Sequence, residues 1–111
     1  MKKYEGSLVI ADNIAEVWDF LTQFSIFAKM KVVGQDPANY RLFLNAPINF
    51  NTLGEDMEIV LDSIEPAEGE EGPATRVTVR SQSKLRTAIM DMGKNRKNVE
   101  IVIDFIRQQL I

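Results

Sequence analysis

The stretch YEGSLVIADNIAEVWDFLTQF, residues 4–24, changes its hydrophobic period halfway along, and that change decides the fold. In its first part Tyr4, Gly6, Leu8 and Ile10 alternate with Glu5, Ser7 and Val9, the two-residue period of a strand with one buried face. Ala11, Asp12 and Asn13 interrupt it. Asp12 or Asn13 can cap a helix, and Asn13 and Glu16 have the spacing of a capping box. Beyond the cap, Ile14, Val17, Trp18, Leu21 and Ser25 fall on one side at helical spacing. Phe20, Phe24 and Phe27 widen that apolar face, and Glu16, Asp19 and Gln23 mark the wet one. The spacing predicts an amphipathic helix of about four turns.

Downstream the strand period returns. KMKVVGQDPANYRLFLN, residues 29–45, reads as two strands joined at Asp36-Pro37-Ala38-Asn39, where Pro37 and Asn39 are turn residues. APINFNTLGED, residues 46–56, is broken by Pro47 and Gly54 and reads as a loop or irregular strand. MEIVLDSI alternates Met57, Ile59 and Leu61 against Glu58, Val60 and Asp62, and TRVTVRSQS alternates Val77 and Val79 against Arg76, Thr78 and Arg80. If this hairpin turns about Gly69, Glu58 faces Arg80 and Asp62 faces Arg76, and opposite charges across a ladder favour that register by about 0.2–1 kcal/mol each. Both pairs then belong on the exposed face of the sheet. From about Lys94 the chain turns helical: Val99, Val102, Ile103, Ile106 and Leu110 form a stripe that Ile101 and Phe105 extend to roughly 200° of arc.

The order is β-α-β-β-β-β-α in a single domain spanning residues 1–111. The expected fold class is α+β, a curved antiparallel sheet with both helices on one face. A last helix lying in the concavity of a bent sheet accounts for its wide apolar arc.

Composition narrows the chemistry. The chain has 111 residues, 45% of them hydrophobic and 26% charged, with no cysteine and no histidine. Disulfides, thiolate nucleophiles and zinc-thiolate sites are excluded, as are the commonest general base and the commonest metal ligand. No cofactor motif is present. The N-terminal MKKYEGSLVI carries too short an apolar run for a signal peptide, and no stretch approaches a membrane span, so a cytoplasmic location is expected. The net charge of −3 hides a split: residues 1–73 hold five basic and thirteen acidic side chains, residues 74–111 eight and three.

That split concentrates at the start of the last helix. Lys94, Arg96 and Lys97 follow Gly93, with Lys84 and Arg86 a few residues upstream. A helix N-terminus already carries partial positive charge and unpaired amides, so cations there suit an anionic guest. These six residues form the candidate anion-binding site. The second glycine and the Ser/Thr of a phosphate-binding loop are missing, so nucleotide hydrolysis is not indicated. The alternative is structural: Asp91 caps the helix, and acidic loops such as Gly54-Glu55-Asp56 or residues 65–71 neutralise the cations. The acid run Glu65, Glu68, Glu70 and Glu71 lacks the spacing of a calcium loop and reads as a solvated turn. Nucleic acid is not expected as a partner for an acidic chain without a recognised binding motif.

Residues 4–24, with their strand leading into Val17-Trp18-Asp19-Phe20-Leu21, resemble the opening of START-like domains, the superfamily that includes the birch-pollen allergen and polyketide cyclases. The resemblance implies a helix-grip fold, here in a shortened chain, and a ligand cavity between the last helix and the sheet. Trp18, Phe24, Phe43 and Phe105 are the candidate pocket residues on that reading, with core positions as the alternative. Residues 81–100, together with Leu53-Gly54-Glu55-Asp56, are similar to small bacterial domains of unknown function, in which aromatic residues often stand where Leu53 and Met92 stand here. Two function classes follow. One is a binder of a small anionic or amphipathic, lipid-like molecule. The other is a protein-interaction or homodimerisation domain docking an acidic partner, with Phe20, Phe27, Ile101 and Phe105 as its apolar surface.

Overall fold

In a computed structural model, residues 3–27, 29–46, 54–83 and 93–110 are described. Strand β1 (Lys3–Ile10) leads into α1 (Ile14–Leu21), then β2 (Ile26–Phe27), β3 (Met30–Asp36), a 3-10 turn (Pro37–Asn39), β4 (Arg41–Ala46), β5 (Glu55–Ile64), β6 (Ala74–Ser83) and α2 (Lys94–Leu110). The strands form one antiparallel sheet in the order β1-β6-β5-β4-β3-β2. It is a curled half-barrel gripping two helices, the expected α+β helix-grip-like arrangement.

Side-chain alternation and register together place the core. Gly6 pairs with Val79, Val79 with Ile59 and Ile59 with Leu42, so one row of side chains crosses four strands on the helix-bearing face. The row beside it runs Leu8, Val77, Leu61. Val17 and Leu21 of α1 and Val99, Val102 and Ile106 of α2 close onto these rows in a single buried cluster. Truncating such a fully buried aliphatic to alanine typically costs about 2–5 kcal/mol for Leu or Ile. Gly6 is where α2 crosses the sheet: a Cβ there would lie 2.9 Å from Ile103 Cδ1 and 3.0 Å from Val99 Cγ1. Only a residue without a side chain lets the helix come this close.

Three expectations meet the structure differently. The hairpin register is the expected one, with Glu58 opposite Arg80, Val60 opposite Thr78 and Asp62 opposite Arg76. Glu58 is held by two arginines, Arg80 at 2.9 Å and Arg41, while Asp62 and Arg76 face each other without forming an ion pair. The first helix is shorter than predicted: it covers eight residues, and Asn13 caps it through Oδ1, which accepts from the Glu16 amide at 2.9 Å. It ends because Thr22 Oγ1 donates back to the Trp18 carbonyl at 2.9 Å, and because Phe24 and Phe27 are drawn sideways into a ring cluster with Phe105. Thr, Ser, Ile and aromatic residues resist helix weakly, so tertiary contacts decide the boundary. The freed segment makes β2, pairing Ile26 with Lys31 and Phe27 with Met30.

Among the described residues, no helix is long and apolar enough to cross a membrane.

Candidate functional site

The rows of the helix-bearing face become polar toward one end. Beyond Gly6-Val79-Ile59-Leu42 comes Tyr4-Ser81-Met57-Leu44, and beyond that Ser83-Glu55-Ala46. The buried stripe of α2 changes in step, from Ile106, Val102 and Val99 to Asn98 and Asn95. Where the two polar ends meet, Glu55, Asn95 and Asn98 are fully buried and Ser81 and Ser83 nearly so.

This nest is hydrogen-bonded internally but incompletely. Ser81 Oγ donates to Asn95 Oδ1 at 2.8 Å, and Asn95 Nδ2 donates to Ser83 Oγ at 3.1 Å. Asn98 Nδ2 donates to Glu55 Oε1 at 2.7 Å and reaches Ser81 Oγ at 3.5 Å. Among the described residues, the buried Glu55 Oε2 and Asn98 Oδ1 accept no hydrogen bond. Among the described residues Glu55 has no ion pair either. An unmet buried polar atom costs about 1–3 kcal/mol, more if charged, and a fully buried acid is rare unless it is paired. The positive end of α2 beside it offsets part of that.

The cations predicted at this helix start, Lys94, Arg96 and Lys97, share the first turn of α2 with Asn95. Arg96 and Lys97 are exposed and Lys94 is half-buried. Arg96 is engaged: its Nε donates to Glu100 Oε1 at 2.8 Å, and its guanidinium lies 5.9 Å from the Tyr4 ring centroid. The hydrogen bond to Glu100, then that carboxylate's charge, holds the guanidinium above its ordinary pKa. Lys94 and Lys97 make no ion pair among the described residues. Gly93 precedes the helix in the left-handed region, φ 70°, and its carbonyl accepts the Lys97 amide at 3.0 Å. Lys84, Arg86, the expected cap Asp91, Leu53 and Met92 lie outside the described residues.

The aromatic candidates do not form one pocket. Phe24 and Phe105 meet edge to face at 5.3 Å, with Phe20 and Phe27 completing the ring set. Trp18 instead stands edge-on to Tyr40 at 5.6 Å. Phe43 departs from the expectation: it occupies the other face of β4 from the buried Leu42 and Leu44, with the Arg41 guanidinium over its ring at 5.4 Å. Strand parity forces this, since adjacent residues point to opposite faces. The proposed dimer surface also loses a member, because Phe27 is fully buried and Phe20, Ile101 and Phe105 pack against the core. The acidic run Glu65, Glu68, Glu70 and Glu71 is an exposed turn, and no cluster of acids suited to a metal ion occurs among the described residues.

Sequence reasoning missed Glu55, Ser81, Ser83, Asn95 and Asn98. The signal was there. Glu55 has the parity of Met57, Ile59 and Leu61, Ser81 and Ser83 that of Val77 and Val79, and the asparagines continue the α2 stripe at i, i+3 and i+7 to Val102. Polar residues at core positions on three elements converge on one place.

No family model matches the sequence, and no curated protein matches it. Solved structures do match. Protein XoxI from Bacillus cereus superposes with a TM-score of 0.64 at 10% identity, over 99% of this chain and 96% of that one. The di-domain aromatase/cyclase BexL, of the BE-7585A biosynthetic pathway, superposes with a TM-score of 0.57 at 12% identity, over 98% of this chain and 43% of that one. The likeness is one of fold. It is a helix-grip-like architecture, and at these identities it says nothing of ligand or reaction.

Proposed function

We propose that this chain is a small-molecule-binding module of the helix-grip type, and that the nest between α2 and the β5–β6 end of the sheet is where it recognises its ligand. One observation carries the reading: Glu55 Oε2 and Asn98 Oδ1 are buried acceptors without a donor among the described residues. Native proteins satisfy nearly all such atoms, and an orphaned pair in one place is a position that a guest's N–H or O–H completes. The helix-grip-like fold supports the reading by analogy. Lys94 and Lys97 at the rim suit an acidic group on the same molecule, in keeping with the anion-binding character of a helix start. Gly93, Arg96, Lys84 and Arg86 belong to the same proposed anion-recognising segment, with Arg96 already shared with Glu100.

Native mass spectrometry of freshly expressed protein tests this. The full chain is expected to carry a bound mass that Glu55→Gln loses. Bare wild-type protein, recovered under conditions that preserve other non-covalent complexes, overturns the binding reading.

A further inference from the structure

The nest specifies more than a guest; it specifies the guest's charge. Both unmet atoms are oxygens that only accept, and one belongs to a carboxylate whose single hydrogen bond comes from a neutral amide. Asn95, Ser81 and Ser83 are turned toward one another and offer that carboxylate no charge. A hydroxyl or water supplies hydrogens alone, whereas a buried carboxylate that keeps its charge is one that is paired. A primary ammonium brings three hydrogens and one positive charge to two acceptors that have no donor among the described residues.

Resting on the binding role above, we propose that the group entering the nest is a primary ammonium and that the ligand is a compact zwitterion whose acidic group reaches Lys94. Lys94 lies four residues before Asn98 on α2, so the two are neighbours one turn apart, with roughly 5–6 Å between their Cβ atoms. Lys94 is half-buried beside the nest and makes no ion pair among the described residues. A cationic rim would repel a simple amine. It attracts an amine that carries its own acid at about that spacing. Lys94, one of the cations expected from sequence to bind an anion, thus becomes the outer pole of a two-pole site whose inner pole is acidic.

The test uses the full chain and a graded set of probes: glycine, β-alanine, γ-aminobutyrate and phosphoethanolamine, against propionate, butyrate and ethylamine, by thermal shift and calorimetric titration. The amino acids of intermediate length and phosphoethanolamine are expected to raise Tm on the order of 10 °C at hundredfold excess over Kd. Propionate and butyrate should have no effect, and ethylamine a smaller one. Glu55→Gln should weaken the zwitterions at least tenfold, and Lys94→Ala should reduce them to the affinity of ethylamine. Butyrate binding as tightly as γ-aminobutyrate, still dependent on Glu55, overturns the ammonium assignment and leaves the binding role intact. So does the absence of a shift with every amine when mass spectrometry has found a Glu55-dependent adduct. Zwitterion affinity unchanged by Lys94→Ala overturns the two-pole geometry.

Discussion

Glu55→Gln should make this protein more stable while depriving it of its ligand. The substitution keeps the side chain's shape and the Oε1 acceptor to which Asn98 Nδ2 donates at 2.7 Å. It replaces the unmet acceptor Oε2 with an amide nitrogen, so one buried acceptor without a donor goes. Relieving one such group is worth about 1–3 kcal/mol. For a chain of this size each 1 kcal/mol moves Tm by roughly 4–8 °C, so a rise on the order of 10 °C is expected. The assay is urea unfolding of ligand-free protein by circular dichroism, with a higher midpoint and an unchanged slope. Native binding sites commonly trade stability for function in this direction. A drop in stability of more than about 1 kcal/mol would refute the reasoning, because breaking a buried ion pair destabilises whereas removing an unpaired charge does not.

Further outcomes follow from other parts of the structure. Gly6→Ala should lower stability by about 1–3 kcal/mol, because its Cβ would meet Ile103 and Val99 at 2.9 and 3.0 Å, and pairing it with Ile103→Val should recover part of the loss in thermal melts. The Glu16 carboxyl is held above its usual 4.5, first by a hydrogen bond with Asp12, then by that residue's charge. A raised folded-state value means the pair helps the fold at pH below 4.5 and that help is lost as pH rises through the folded value. Glu16→Gln should therefore raise Tm slightly at pH 7 and bring no gain at pH 3. Replacing Lys94 and Lys97 with alanine should leave Tm level or higher, since both lie at the positive end of α2 without an ion pair among the described residues, whereas Arg96→Ala should lower it by removing the Glu100 pair and the Tyr4 contact. A fall in Tm in the double lysine variant would mark those residues as structural.

The fold was legible because hydrophobic period and charge pairing agree. Tyr4-Gly6-Leu8-Ile10, the Asn13 cap, the Asp36–Asn39 turn and the Glu58–Arg80 register each follow from local chemistry that tertiary contacts reinforce. The end of α1 was not legible. Phe24 and Phe27 have helical spacing from Phe20 yet serve a ring cluster completed by Phe105, far along the chain. Phe43 takes the face opposite the core because Leu42 and Leu44, its neighbours on β4, are the buried ones.

The site was half legible. Lys94, Arg96 and Lys97 pointed to the proposed site because cations at a helix start oppose the dipole. Its interior stayed hidden because Asn and Ser are unremarkable alone. Their meaning arises only when the register sets Glu55 opposite Ser83 and brings α2 across both strands. A carboxylate at the end of an alternating apolar strand is ordinary in sequence. Buried beside an asparagine with one oxygen each unmet, it becomes a demand for a donor.

The most direct measurement is an atomic-resolution crystal structure of the protein as purified from cells, read at the nest. The account predicts density for a bound group whose nitrogen lies about 2.7–3.0 Å from both Glu55 Oε2 and Asn98 Oδ1, as charge-assisted hydrogen bonds require. A lysine or arginine of the chain itself occupying that position would contradict it.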